Sequence, residues 1–265
     1  MEKTVIKALQ VLEALALSDQ PRGVTELARE LQLSKSNVYR LLETLRESSY
    51  VQRVSGGRAF EPTLKLWRLG ANIAGRLDVK AAAGPYLLEL RDETRETARL
   101  TVLQGDQGIC IQQVETQHPL RVQTPIGGVL LLYCSATGKA MLAFQPSEVI
   151  ERVASSMEKF TPTTASSKQD LLDELERIRR DGFALNRGER IEGVCGVAAP
   201  VIDRSGAVNA AIGISGPAER LNVRTLRSYG PLVREIANRL GHSMGAPAHS
   251  APASRTVGRS LRTST

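Results

Sequence analysis

Few of the side chains able to do covalent chemistry in this 265-residue chain stand at spacings that would use them. The three cysteines, Cys110, Cys134 and Cys195, are odd in number and far apart, so they form neither a disulfide framework nor a CxxC metal knuckle. They read as buried thiols, small core hydrophobes. His118, His242 and His249 have no ligand spacing to a cysteine, and no Cys/His pair, paired-carboxylate site or Ser/His/Asp set emerges. The adjacent glycines are Gly56-Gly57 and Gly127-Gly128, neither inside a phosphate loop or a G-x-G-x-x-G fingerprint. No catalytic residue, metal or cofactor is expected. Two groupings suit recognition of anions instead. One is Lys35, Ser36, Asn37, Tyr39 and Arg40, followed by Arg53 and Arg58. The other is Ser135-Ala136-Thr137-Gly138-Lys139, opening a helix over 135–144 with Ala140, Met141 and Phe144 on its apolar face. The first amides of a helix are unpaired and suit a negative charge. Ser135 either adds a donor there or simply caps the helix.

The first grouping needs a helix to present it. Val38, Leu41, Leu42 and Leu45 recur at i, i+3, i+4 and i+7, which predicts a helix over 35–48 with one buried face. Ser34 is its N-cap. Ahead of it, 25–31 reads as a short helix and Gln32-Leu33-Ser34 as a tight turn, the helix-turn-helix pattern. An initial helix carries Ile6, Leu9, Leu12, Leu15 and Ala16 as its apolar stripe, and Pro21-Arg22-Gly23 breaks it. Residues 50–54 and 58–62 flank Ser55-Gly56-Gly57 as a β-hairpin, a wing. A structural helical bundle shares the helix-turn-helix pattern. It would not keep Lys35, Ser36, Asn37 and Arg40 together at the end of the helix that enters the major groove in DNA readers.

Charge and length fit that reading. Residues 1–75 carry 11 basic and 8 acidic side chains, residues 76–242 carry 21 and 20, and residues 243–265 carry three arginines and no acid. The basic excess therefore lies at the ends, around a nearly neutral middle, as for a polyanion-binding end on a neutral body. The length suggests two domains. No apolar run reaches the roughly 18 residues of a membrane span, and the N-terminal segment reads as an amphipathic helix rather than a signal peptide, so a cytoplasmic location is expected. We expect domains over 1–62 and 81–242, a linker helix over 63–80, and a disordered tail over 243–265, rich in Ser, Ala, Pro and Arg. Within 81–242, residues 99–104 pair with 109–115 and 196–203 with 207–215 as hairpins, and 171–180 and 222–240 are amphipathic helices. Hairpins with helices between them argue for an α+β fold. Trp67, with Leu64, Leu66 and Leu69, reads as packing at a domain or subunit contact, and Arg177-Ile178-Arg179-Arg180 as a solvated helix face.

The stretch VTELARELQLSKSNVYRLLETLRESSYVQR resembles the winged helix of the IclR-type bacterial transcription regulators. YCSATGKAMLAF, at 133–144, and the segment 171–217 resemble the effector-binding domain of the same family, so the likeness spans about Thr4 to Gly241. The resemblance implies a GAF-like effector domain with an antiparallel sheet and a small-molecule effector, often a carboxylate. It implies a pocket of Ser135, Ala136, Asn186, Gly196, Gly213 and Ser215, which we expect Met141, Val197 and Ile212 to line with apolar surface. Where the family commonly carries acids this chain has Asn186, Arg187 and Gly188, keeping only Glu189, so the effector's identity does not carry over.

The expected function is a ligand-responsive, DNA-binding regulator of a metabolic, catabolic operon. It would act as a homodimer or tetramer on a pseudo-palindromic operator. Arg40, Ser36 and Asn37 are expected to read bases, Lys35, Tyr39, Arg53 and Arg58 chiefly to contact the backbone, and Thr25 to contact DNA as well. The linker helix is the expected lever between effector and DNA. The competing classes are an enzyme using residues 81–242, for which no site is evident, and an interaction protein using the winged helix for protein contacts.

Overall fold

The computed structural model describes residues 3–54, 57–74, 77–122 and 124–246. The chain divides into two compact units, residues 1–76 and 77–265.

The first unit builds one core from local periodicity. Helices α1 (Lys3–Ala16), α2 (Val24–Glu30) and α3 (Lys35–Glu47) surround Val11, Leu15, Leu27, Val38 and Leu42. Ser34 caps α3, accepting from the Asn37 amide at 3.3 Å, and the turn before it places Gln32 at φ +54°. The hairpin is β2 (Val51–Arg53) with β3 (Ala59–Pro62); the expected turn residues Ser55 and Gly56 lie outside the described residues. A third strand was not foreseen. Arg22 and Gly23, expected only to break a helix, form β1 and pair with Phe60 and Ala59. The buried stripe of α1 also differs from expectation. Val11, Leu12 and Leu15 face the core, whereas Ile6 and Leu9 are exposed together with Val5.

The expected linker helix over 63–80 is two elements. Helix α4 (Leu64–Ala74) belongs to the first unit, and its start is bound to the residues that end α3. The Thr63 hydroxyl donates to the Ser49 carbonyl at 2.7 Å, Lys65 Nζ donates to the Ser48 carbonyl at 2.7 Å, and the Lys65 ammonium lies 4.0 Å from the Tyr50 ring centroid. Leu66 packs on the core, while Leu64, Trp67 and Ile73 are exposed, so Trp67 is not packed into the core of the first unit. Residues 78–80 belong instead to α5 (Asp78–Thr94) of the second unit, which starts after a non-helical Leu77.

The second unit is a six-stranded antiparallel sheet of order β6-β5-β4-β9-β8-β7. Its strands are β4 (Thr97–Gln104), β5 (Gln107–Val114), β6 (Val129–Leu131), β7 (Ala184–Arg187), β8 (Val194–Ile202) and β9 (Val208–Pro217). Both expected hairpins form, and β4 joins them by pairing with β9 at the centre of the sheet. Helices α5 and α9 (Val223–Ser243) pack on one face over Leu100, Val197, Ile212 and Ile214. Helices α6 (Ala136–Leu142), α7 (Ser147–Ser155) and α8 (Lys168–Asp181) enclose a second core with Met141, Leu171 and Leu175 over Ala198 and Ala211. Each strand near the centre is therefore buried on both sides, which is what makes its polar residues informative. The expected tail begins later than 243, because α9 continues through Ser243; residues 247–265 lie outside the described residues.

Candidate functional sites

The first site is the surface that α3 and the wing share. Burial of Val38, Leu41, Leu42 and Leu45 turns the opposite face of α3 outward, leaving Lys35, Ser36, Tyr39 and Arg40 exposed and Asn37 half-buried. Beside them runs a concave groove lined by Gly23, Thr25, Tyr39, Arg53, Arg58 and Phe60, among others. Four of the eight expected contact residues, Thr25, Tyr39, Arg53 and Arg58, thus meet on one groove. Arg53, expected to contact the DNA backbone, is already paired within the unit. Its guanidinium donates to Glu43 at 2.5 Å and to the Tyr39 hydroxyl at 3.1 Å, and it lies 5.2 Å from the Phe60 ring centroid. The Arg53 and Arg46 guanidiniums hold the Glu43 carboxyl below the usual carboxylate range, so the pair stays ionised. Arg58 is exposed, immediately before the other strand of the wing.

The second site is a cavity of about 400 Å³ in the second unit. Register assembles its floor. Asn186 pairs with Gly196, Gly196 with Ser215, and Ser215 with Thr97, so one cross-strand row runs over β7, β8, β9 and β4; Arg99 lies on the same face, two residues along β4. Ser135, Ala136, Asn186, Gly196 and Ser215 line the cavity as expected. Gly196 has to be glycine, since a Cβ there would stand 2.6 Å from the Ile214 carbonyl oxygen.

Other expected members are elsewhere. Met141 is fully buried in the core beneath α6, and Val197 and Ile212 point to the opposite face, against α5 and α9. Gly213 is buried beside β8, where a Cβ would meet Ala198 at 2.5 Å, so it makes room for packing rather than for a ligand. The apolar walls come from Val122, Val129, Leu131, Ile191 and Val194. The role expected of the helix terminus also changes. α6 has seven residues, and the Ser135 hydroxyl is committed within it, accepting from the Gly138 amide at 3.2 Å and donating to the Leu131 carbonyl at 2.7 Å. Ser135 is a cap. Asn186 likewise uses its carbonyl oxygen on the Glu189 amide, at 2.9 Å.

The group that sequence reasoning missed is Arg99. It is 5% exposed and lines the cavity. It donates to the Thr124 hydroxyl at 2.7 Å and to the Ser215 hydroxyl, while its buried Nε has no partner. Burial pushes its pKa down. No Asp or Glu stands among the described residues that line the cavity; the other charged one is Arg190, exposed and stacked 3.5 Å from the Phe160 centroid. One turn beyond Ser135, Lys139 shows the ordinary treatment of a buried cation. Its Nζ reaches Glu189 at 2.6 Å and Glu174 at 3.4 Å. Cys134 also lines the cavity, its thiol pushed up to about 11 by burial, so it remains an unreactive thiol at neutral pH.

Comparisons with known proteins agree along the chain. Residues 4–55 match the IclR helix-turn-helix domain, and residues 71–242 match the bacterial transcriptional regulator IclR C-terminal family. The HTH-type transcriptional regulator KdgR of Escherichia coli (strain K12) is 32% identical over 244 residues, 91% of this chain and 92% of that protein. The HTH-type transcriptional repressor AllR of the same strain is 30% identical over 245 residues, 92% of this chain and 90% of its own length. The crystal structure of the Thermotoga maritima IclR superposes with a TM-score of 0.75 at 28% identity, covering 92% of this chain and all of that one.

Proposed function

Because this chain belongs to the IclR family of DNA-binding transcription regulators, and is therefore a regulator rather than an enzyme, we propose that it controls a catabolic operon in response to a small organic acid. The observation that carries the choice of effector is the charge of the cavity: two arginines line it and no carboxylate does, among the described residues. A concave, largely apolar space of this size with a few polar groups is the usual form of a small-molecule site.

On the DNA side, the exposed end of α3 enters the major groove and the groove shared with the wing follows the phosphates. Arg40, Ser36 and Asn37 read base edges; Thr25, Lys35, Tyr39 and Arg58 position the backbone. Arg53 reaches phosphate only by giving up Glu43. Val5, Ile6 and Leu9 on α1, with Leu64, Trp67 and Ile73 on α4, leave large apolar side chains exposed on both helices, which supports a two-fold dimer reading two half-sites. No helix among the described residues is long and apolar enough to cross a membrane, and the protein would work in the cytoplasm, where the DNA is.

The test is fluorescence-anisotropy titration of the DNA upstream of the chain's own gene, with sedimentation to count protomers. Sub-micromolar, sequence-specific binding by a dimer or tetramer is expected, weakened or strengthened by an organic acid. A monomer that binds this DNA no better than random sequence would overturn the proposal.

A further inference from the structure

Arg99 presents a problem that the rest of the fold solves everywhere else. A guanidinium has five N–H donors and cannot shed its charge in a protein. Here two donors are given to neutral hydroxyls, three remain, and Nε is buried without a partner. The other buried cation among the described residues of this unit, Lys139, has two carboxylates. A buried charge without an opposite one is unfavourable unless something arrives to pair with it. The hydroxyls of Thr124 and Ser215 accept from the guanidinium, so each keeps its own proton to donate. Arginine and hydroxyls together make a donor-rich socket, and the planar guanidinium is the complement of one carboxylate. Beyond it the walls are Val122, Val129, Leu131, Ile191 and Val194; the other cation of the lining, Arg190, is exposed and stacked on Phe160, so a second carboxylate set among these apolar walls would have no buried partner.

We propose that Arg99, with Thr124 and Ser215, binds the carboxylate of the effector, and that the effector is a monocarboxylate with an apolar body, alkyl or aromatic, rather than a small keto acid or a dicarboxylate. This rests on the cavity being the effector site. Pyruvate would fill a small part of about 400 Å³ and leave the apolar walls facing water.

Isothermal titration calorimetry of the full chain with benzoate, hexanoate, pyruvate, succinate and benzamide is the test. Benzoate or hexanoate should bind at least about tenfold more tightly than pyruvate, succinate or benzamide, since only they satisfy socket and walls together. Arg99→Met should lower affinity for the better acid by about a hundredfold or more, and Arg99→Lys by about tenfold, because an ammonium keeps the charge but not the planar fork. Unliganded Arg99→Met should melt no lower than the unmodified chain, since an unpaired buried charge has gone; a merely structural arginine would give a lower midpoint. If Arg99→Met does not fold, the Arg99→Lys affinity decides. Failure of both benzoate and hexanoate to bind, tighter binding of pyruvate or succinate, or full affinity in the arginine variants would overturn the proposal. Ala136→Phe, which narrows the cavity, separates the two levels. If it abolishes binding while Arg99→Met does not, the cavity stands and the arginine assignment fails. If neither changes binding, the cavity itself is the wrong site.

Discussion

The two units handle arginine in opposite ways. In the first, Arg40, Arg53 and Arg58 are exposed, and Arg53 already has a carboxylate. In the second, Arg99 is buried and faces neutral groups only. Exposed cations remain hydrated, so each contributes little alone and is weakened by salt, which suits a long polyanion met at many points. A buried, unpaired cation is strongly biased toward a single anion of the right shape. On the proposed reading, one surface would sum many weak contacts along a polymer, and the other would test a small molecule with one strong contact.

The sharpest way to probe that contrast is to create a second unpaired buried charge on purpose. Lys139 and Glu189 have side chains 3% and 4% exposed. Lys139→Met should strand Glu189 and destabilise the protein by about 3–5 kcal/mol in denaturant titration, the range for breaking a buried pair. A loss under about 1 kcal/mol would mean that the interior is wetter than its burial implies, and the special status of Arg99 would weaken with it.

Smaller effects are expected at the exposed arginines. Arg40→Ala should weaken binding to the cognate operator by about 1–3 kcal/mol and relax specificity at one base position, as for loss of a base contact. Binding that falls equally on all sequences would move Arg40 to the phosphate class. The smallest changes concern salt. Arg58→Ala should reduce the slope of log affinity against log salt by about one, whereas Glu43→Gln, which frees Arg53, should increase it by a similar amount. If Glu43→Gln leaves the slope unchanged, Arg53 does not touch DNA even when released.

How far these sites were legible follows from how local their determinants are. The reading helix could be found because its buried residues and its cap, Ser34, lie within one stretch of a dozen residues. β1 was missed because two residues cannot display an alternation. The face of α1 was misjudged because Val5, Ile6, Leu9, Val11, Leu12 and Leu15 surround the helix, and periodicity alone does not choose among overlapping stripes. In the second unit, Asn186, Gly196 and Ser215 came from a family likeness and do meet. Arg99 had no such flag. In Thr-Ala-Arg-Leu-Thr-Val it sits at an alternating position that reads as a solvated face. Only the insertion of β4 between β5 and β9, with helices above and below the sheet, buries it. A central strand's polar residue is where alternation misleads.

The attachment of α4 has a mechanical consequence. Its root is fastened through Thr63 and Lys65 to the carbonyls of Ser48 and Ser49, where α3 ends. Helix and winged domain therefore turn as one body, like a crank keyed to its shaft. Eleven residues at 1.5 Å each make an arm of about 16 Å, so a sideways push of about 3 Å at its far end rotates the whole reading surface by about 10°. Whatever grips the exposed side of this arm, including a second copy of the chain, would also set the angle at which α3 meets DNA on the proposed reading.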